Sequence, residues 1–179
     1  MDARGARIVI AVAVVALCGA LAAPSAHSGR ASSHVALSGL ESGVLTELNQ
    51  IRAQHGLTPV TISARLTAAA AQHSKEMGAT GTFEHTSSDG TAFWKRINKW
   101  YASGGYGFWS VGENLLWSSP NVDPARAIDL WMHSPEHRAN ILAPRWREIG
   151  ISAVHFATAP GAYKGHEVTI ITTDFGVRR

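Results

Sequence analysis

The hydrophobic positions of this chain change period once, and that change divides it. From Leu40 the apolar residues Val44, Leu45, Leu48 and Ile51 recur at helical spacing, and His55-Gly56 supplies a C-terminal stop. Pro59 to Ile62 reads as a short extended link, after which Ser63 caps a second helix. Its inner face carries Leu66, Ala69, Ala70, His73 and Met77, with Gly78 as its end. A third helix is predicted from Thr91 to about Tyr101 on Phe93, Trp94, Ile97, Trp100 and Tyr101, followed by a glycine-rich loop from Ser103 to Gly107. Asp123-Pro124 opens a fourth, an N-cap acceptor followed by the proline tolerated in the first turn, with Ile128, Trp131 and Met132 facing inward. Pro135 ends it, since proline pushes the residue before it out of the helical region. Ser134-Pro135-Glu136 then starts a short fifth helix that finishes before Pro144. From Ile149 the period becomes that of strands. Ile149 to Phe156 and Val168 to Phe175 are β-branched and aromatic runs around Pro160-Gly161, and read as an antiparallel pair. Helices first and strands last, without βαβ alternation, predict an α+β layered domain.

The beginning of the chain reads differently. Arg4 and Arg7 precede an apolar run from Ile8 to Leu17, and Ala20-Leu21-Ala22 follows. That is the order of a secretory leader, with cleavage expected after Ala22. The run is shorter than a membrane span. Residues 1–22 are thus expected to be a signal peptide, 23–38 a flexible Ser/Gly/Ala/His lead-in, and 39–179 the folded domain, secreted, monomeric and without a membrane span. The single cysteine, Cys18, leaves with the leader, so the domain has neither disulfide nor thiol nucleophile and must be stable by packing.

Charge narrows the function only slightly. The chain holds 16 basic and 13 acidic residues, with no basic block and no aromatic-basic ladder, so nucleic acid is not an expected partner. Glycine-rich phosphate loops and the Gly-x-Ser-x-Gly nucleophile elbow are absent from the sequence. What stands out is nine histidines, all beyond Ala22. His137 falls in the first turn of the fifth helix, on the side of Ile141, beside Glu136 and Arg138. Two imidazoles and a carboxylate can form an open zinc set with a fourth position for water, or simply a hydrogen-bonded polar cleft. His73, on an alanine-rich helical face, reads as a histidine bonded to a backbone carbonyl, and Ser134 as a cap. Arg138 and Asn140 read as ties to neighbouring carbonyls, and Trp117 as packing.

The motifs carry a resemblance. Phe83-x-His85, Gly112-Glu113-Asn114, Trp131-x-x-Ser134-Pro135-x-His137-Arg138-x-Asn140-Ile141-Leu142 and Asp174-Phe175-Gly176 stand in this order, with Leu48-Asn49-x-x-Arg52 and Gly56-Leu57 ahead of them. Over about residues 44–176 the chain resembles the CAP superfamily of cysteine-rich secretory, antigen 5 and pathogenesis-related 1 proteins, also called SCP domains, in a bacterial cysteine-free form. The resemblance implies a three-layer α-β-α sandwich with a small, mainly antiparallel central sheet. It implies a cleft with His85, Glu113 and His137, which in some relatives holds a divalent metal such as zinc or calcium. Many relatives have a second glutamate where this chain has Ser134, and Glu136 is out of register with it. Asp174, which strand alternation places on the face of Val168, Ile170 and Thr172, is the candidate for a fourth cleft group. The expected function is a secreted, non-enzymatic domain binding a metal, a small molecule or part of the cell envelope. A metal-dependent hydrolase in the same cleft and a carrier of lipid or sterol are the alternatives.

Overall fold

The computed structural model describes residues 37–179 and the backbone of residues 10–15. Within them, five α-helices and five strands follow one another as β1 (Ile10–Val15), α1 (Gly39–Gln54), β2 (Thr61–Ile62), α2 (Ala64–Thr80), α3 (Phe93–Trp100), β3 (Trp109–Ser118), α4 (Pro124–Met132), α5 (Pro135–Ile141), β4 (Glu148–Phe156) and β5 (Val168–Arg178). The strands form one sheet in the order β1-β3-β5-β4-β2, antiparallel except where β2 runs parallel to β4. Apart from Ile10–Val15, the expected leader and most of the lead-in lie outside the described residues. At the end of that lead-in, Ser38 caps α1 in a reciprocal capping box with Glu41.

Three layers result, as the sequence predicts. On one face α2 and α3 lie over the even residues of β5 and the odd residues of β3. Leu66, Ala69, Phe93, Ile97, Tyr101, Trp109 and Val111 form a buried cluster there. On the other face α1, α4 and α5 close over Leu116, Ile171, Phe175 and Val177. Trp131 is fully buried in that second layer, and its Nε1 donates to the Leu115 carbonyl at 3.1 Å. Among residues 37–179 the buried core runs from Val44 to Val177.

The α2–sheet contact is close because glycines make it so. A Cβ on Gly150 of β4 would stand 2.0 Å from the Leu66 backbone, and one on Gly78 would stand 2.1 Å from the Phe156 ring. Gly78 therefore does not end α2. It lies inside the helix as a packing residue, and Gly81, in the left-handed conformation at φ 76°, is the cap.

The sequence pattern predicts no element over Trp109 to Ser118, where the structure has β3. That strand is buried on both faces along nearly its whole length. A strand covered on both sides shows no polar alternation, so period two had nothing to act on.

Candidate functional site

His85 and Glu113 meet. The loop from Phe83 to Ala92 carries His85 against the α2/α3 side of β3, and its Nδ1 lies 2.7 Å from Glu113 Oε1. The other Glu113 oxygen pairs with Arg96, on the inner face of α3. Arg96 also donates to the His85 carbonyl at 2.9 Å and to Ser87 Oγ at 3.2 Å, so one guanidinium fixes both the acid and the loop. Arg96 and Glu113 are withdrawn from solvent.

Two residues of α2 hold the same loop. His73 is bonded through Nε2 to the Glu84 carbonyl at 2.8 Å, the role its helical position predicts. Glu76 accepts from the Ser88 backbone N–H at 2.7 Å and from its hydroxyl. His85 is thus delivered by a clamped loop.

Asp174 stands opposite Glu113 in the β3–β5 register. Phe108 and Arg179 exchange both backbone hydrogen bonds, so bonded pairs fall at alternate positions and Glu113–Asp174 falls between them. In such non-bonded pairs the side chains approach most closely. Burial and the neighbouring Glu113 charge push the Asp174 carboxyl well above the usual aspartate range. Burial also acts to raise Glu113, but Arg96, and after it His73 and His85, outweigh this and hold it ionised, well below the glutamate range. Between the two, a proton therefore resides on Asp174 in preference to Glu113. Neither Asp174 oxygen has a conventional donor, which an acid in place of a carboxylate accounts for.

His137 reaches β3 from the other side. It is fully buried in the first turn of α5, and its carbonyl accepts from Asn114 Nδ2 at 3.2 Å. Asn114 points to the face opposite Glu113, by strand alternation. Asn140 completes the junction, donating to the Glu113 carbonyl at 3.1 Å and to Asn114 Oδ1 at 2.9 Å. The structure thus joins His85, Glu113 and Asp174 directly and brings the His137 backbone to the adjoining residue of β3. Among the described residues, no group of three or more His, Cys, Asp and Glu side chains is arranged to hold a metal ion.

Arg96 was missed in the sequence, although a signal existed. It lies three residues after Phe93 and beside Ile97, on the buried stripe of its helix. Ser134 begins α5 without a side-chain cap bond, and His133 is 80% exposed, bonded to the Asp129 carbonyl.

Comparison with known proteins decides the family. The profile of the cysteine-rich secretory protein family, CAP, matches residues 45–164. The chain belongs to the CAP family. It is 30% identical over 119 residues to the uncharacterized protein YkwD of Bacillus subtilis (strain 168), across 66% of this chain and 44% of that one. Among solved structures, an extracellular SCP-domain protein of Bacillus anthracis superposes with a TM-score of 0.60 at 23% identity, over 79% of this chain and 41% of that one. An outer surface protein of Borrelia burgdorferi gives 0.59 at 20% identity, over 76% of this chain and 90% of that one. These two likenesses show a shared fold. This CAP chain spans less than half the length of both Bacillus proteins.

Proposed function

We propose that this CAP domain is a secreted binding module whose cleft takes a divalent cation or a small polar ligand at His85, rather than turning over a substrate. The orientation of His85 carries the reading. Its Nδ1 is fixed on a carboxylate that Arg96 keeps ionised, so the proton belongs on Nδ1, and Nε2 retains its lone pair. That nitrogen is buried without a hydrogen-bond partner. A carboxylate behind an imidazole is the usual support of a metal-binding histidine.

Zinc fits an imidazole lone pair better than calcium does, because calcium seeks oxygen ligands. Both Glu113 oxygens are engaged, so Glu113 serves to orient His85, and coordination would fall to His85 Nε2. The bound ion would supply a Lewis-acidic centre. The hydrolase alternative needs three protein ligands and an activated water, whereas among the described residues no group of three such side chains is arranged to hold a metal ion. Secretion is supported by Arg4, Arg7 and the apolar run, and by the extracellular description of the Bacillus anthracis relative.

Zinc titration followed by urea unfolding tests the reading. Zinc at about a hundred times its dissociation constant should stabilise the parent by about 2.7 kcal/mol and leave His85→Ala unmoved. A parent whose midpoint ignores zinc, or an equal shift in both proteins, sinks the metal form of the proposal.

A further inference from the structure

The outward edge of β3 is a row of backbone groups, and the sheet shows what kind of segment covers it. Because Phe108 bonds to Arg179, the even residues Ser110, Gly112 and Asn114 turn their backbone groups to β5, and Trp109, Val111 and Glu113 turn theirs outward. One end of this edge is closed by side chains, since Asn140 donates to the Glu113 carbonyl and Trp131 to the Leu115 carbonyl. Along the rest lies β1, antiparallel, from Ile10 opposite Asn114 to Val15 opposite Trp109. That segment, Ile-Ala-Val-Ala-Val-Val, is uncharged and free of proline. It also falls in the core of the expected leader, so cleavage after Ala22 would strip the edge bare. An unpaired edge of this length is a template for another strand.

We propose that the β3 edge from Trp109 to Glu113 is a strand-acceptor site for an extended, uncharged apolar peptide, bound antiparallel in the register that Ile10–Val15 takes. Main-chain hydrogen bonds supply the affinity, as in other cases of strand addition. The position gives the site its meaning. Glu113 lies on this edge and holds His85, and α5, which carries His137, touches β1. A bound strand would therefore run along the cleft, so the inference rests on the cleft reading and names a peptide as a ligand class for it. In the unprocessed chain the leader strand occupies the site itself.

The test uses the domain beginning at residue 23, the form that the expected cleavage leaves, and a labelled peptide of residues 8–17 on a soluble tail. Fluorescence anisotropy should show saturable binding. The outward Trp109 and Val111 face Val15 and Ala13, so N-methylation at either peptide residue removes a ladder bond and should weaken binding about tenfold. N-methylation at Val12 or Val14, whose N–H groups face away, should change it less than about twofold. The full chain should bind the peptide more weakly, and Ala13→Pro in the full chain should restore binding. Absence of binding, equal loss at all four positions, or self-association of the trimmed domain that excludes the peptide overturns the proposal. Register dependence without a zinc response overturns the metal reading alone. A zinc response without register dependence overturns this one.

Discussion

Removing the Arg96 guanidinium would leave a buried Glu113 carboxylate with the His85 ring and the Asp174 acid as its partners. Breaking one side of a buried ion pair costs about 3–5 kcal/mol, so Arg96→Met should be destabilised by that order in urea melts. Adding Glu113→Gln should recover part of the loss, because the charge left behind is then gone. A double variant no better than Arg96→Met would mean that the guanidinium acts through the loop alone. The acid pair makes a separate prediction, opposite in sign for its two members. Glu113 titrates below its unfolded value, so its contribution is present above about pH 4 and is lost as the pH falls through its folded value. Asp174 titrates above its unfolded value, so its acid form favours the fold below about pH 4, and that benefit fades as the pH rises. Asp174→Asn keeps a donor toward Glu113 without a titrating proton. It should raise the unfolding midpoint at pH 7, by a margin that shrinks toward pH 4, and a pH series of melts on both proteins checks this. That Asp174 shares a face with Ile170 and Thr172 was legible, because strand alternation fixes which way a side chain points. Its proton was not, since that depends on which residue lies across the ladder.

At the scale of elements, the packing of α2 on the sheet should be unforgiving in a graded way. A methyl on Gly150 meets helix backbone, which cannot turn aside, whereas one on Gly78 meets the Phe156 ring, which can. Overpacking costs about 1–3 kcal/mol, and alanine returns up to about 1 kcal/mol of helix propensity at Gly78. Gly78→Ala should therefore fold with a modest loss that Phe156→Leu relieves, while Gly150→Ala should lower the yield of folded protein. Equal losses, read by circular dichroism and melting, would show that the ring is as fixed as the backbone. Trp131→Ala should cost about 3–5 kcal/mol, from its burial in the core. The helices were readable because each buries one stripe and shows the other to water. The pair β4 and β5 was readable from β-branched runs. β3 had neither cue, yet it carries Glu113, and only the assembled layers show that Gly112-Glu113-Asn114 splits its side chains between two faces.

For the whole molecule, an α+β layered domain followed from the order of periods, and the family, with the α-β-α sandwich it implies, from four weak motifs in sequence. The strand order did not follow, because it depends on contacts between distant segments. Intact-mass measurement of exported protein should show residues 1 to about 22 removed, and retention of Met1 would overturn the leader. The sheet order has its own bearing on how the layers assemble. β5 pairs with both β3 and β4, and among the described strands it comes last in sequence. A chain folding from its N-terminal side therefore lacks the strand that joins β3 to β4 until residues 168–178 are available. Until then α2 can meet β4 and α1 can meet α4, but the two halves of the sheet stay unjoined. A chain ending at residue 167 should accordingly remain protease-sensitive throughout, whereas the whole chain should become resistant in a single step once its last strand is free.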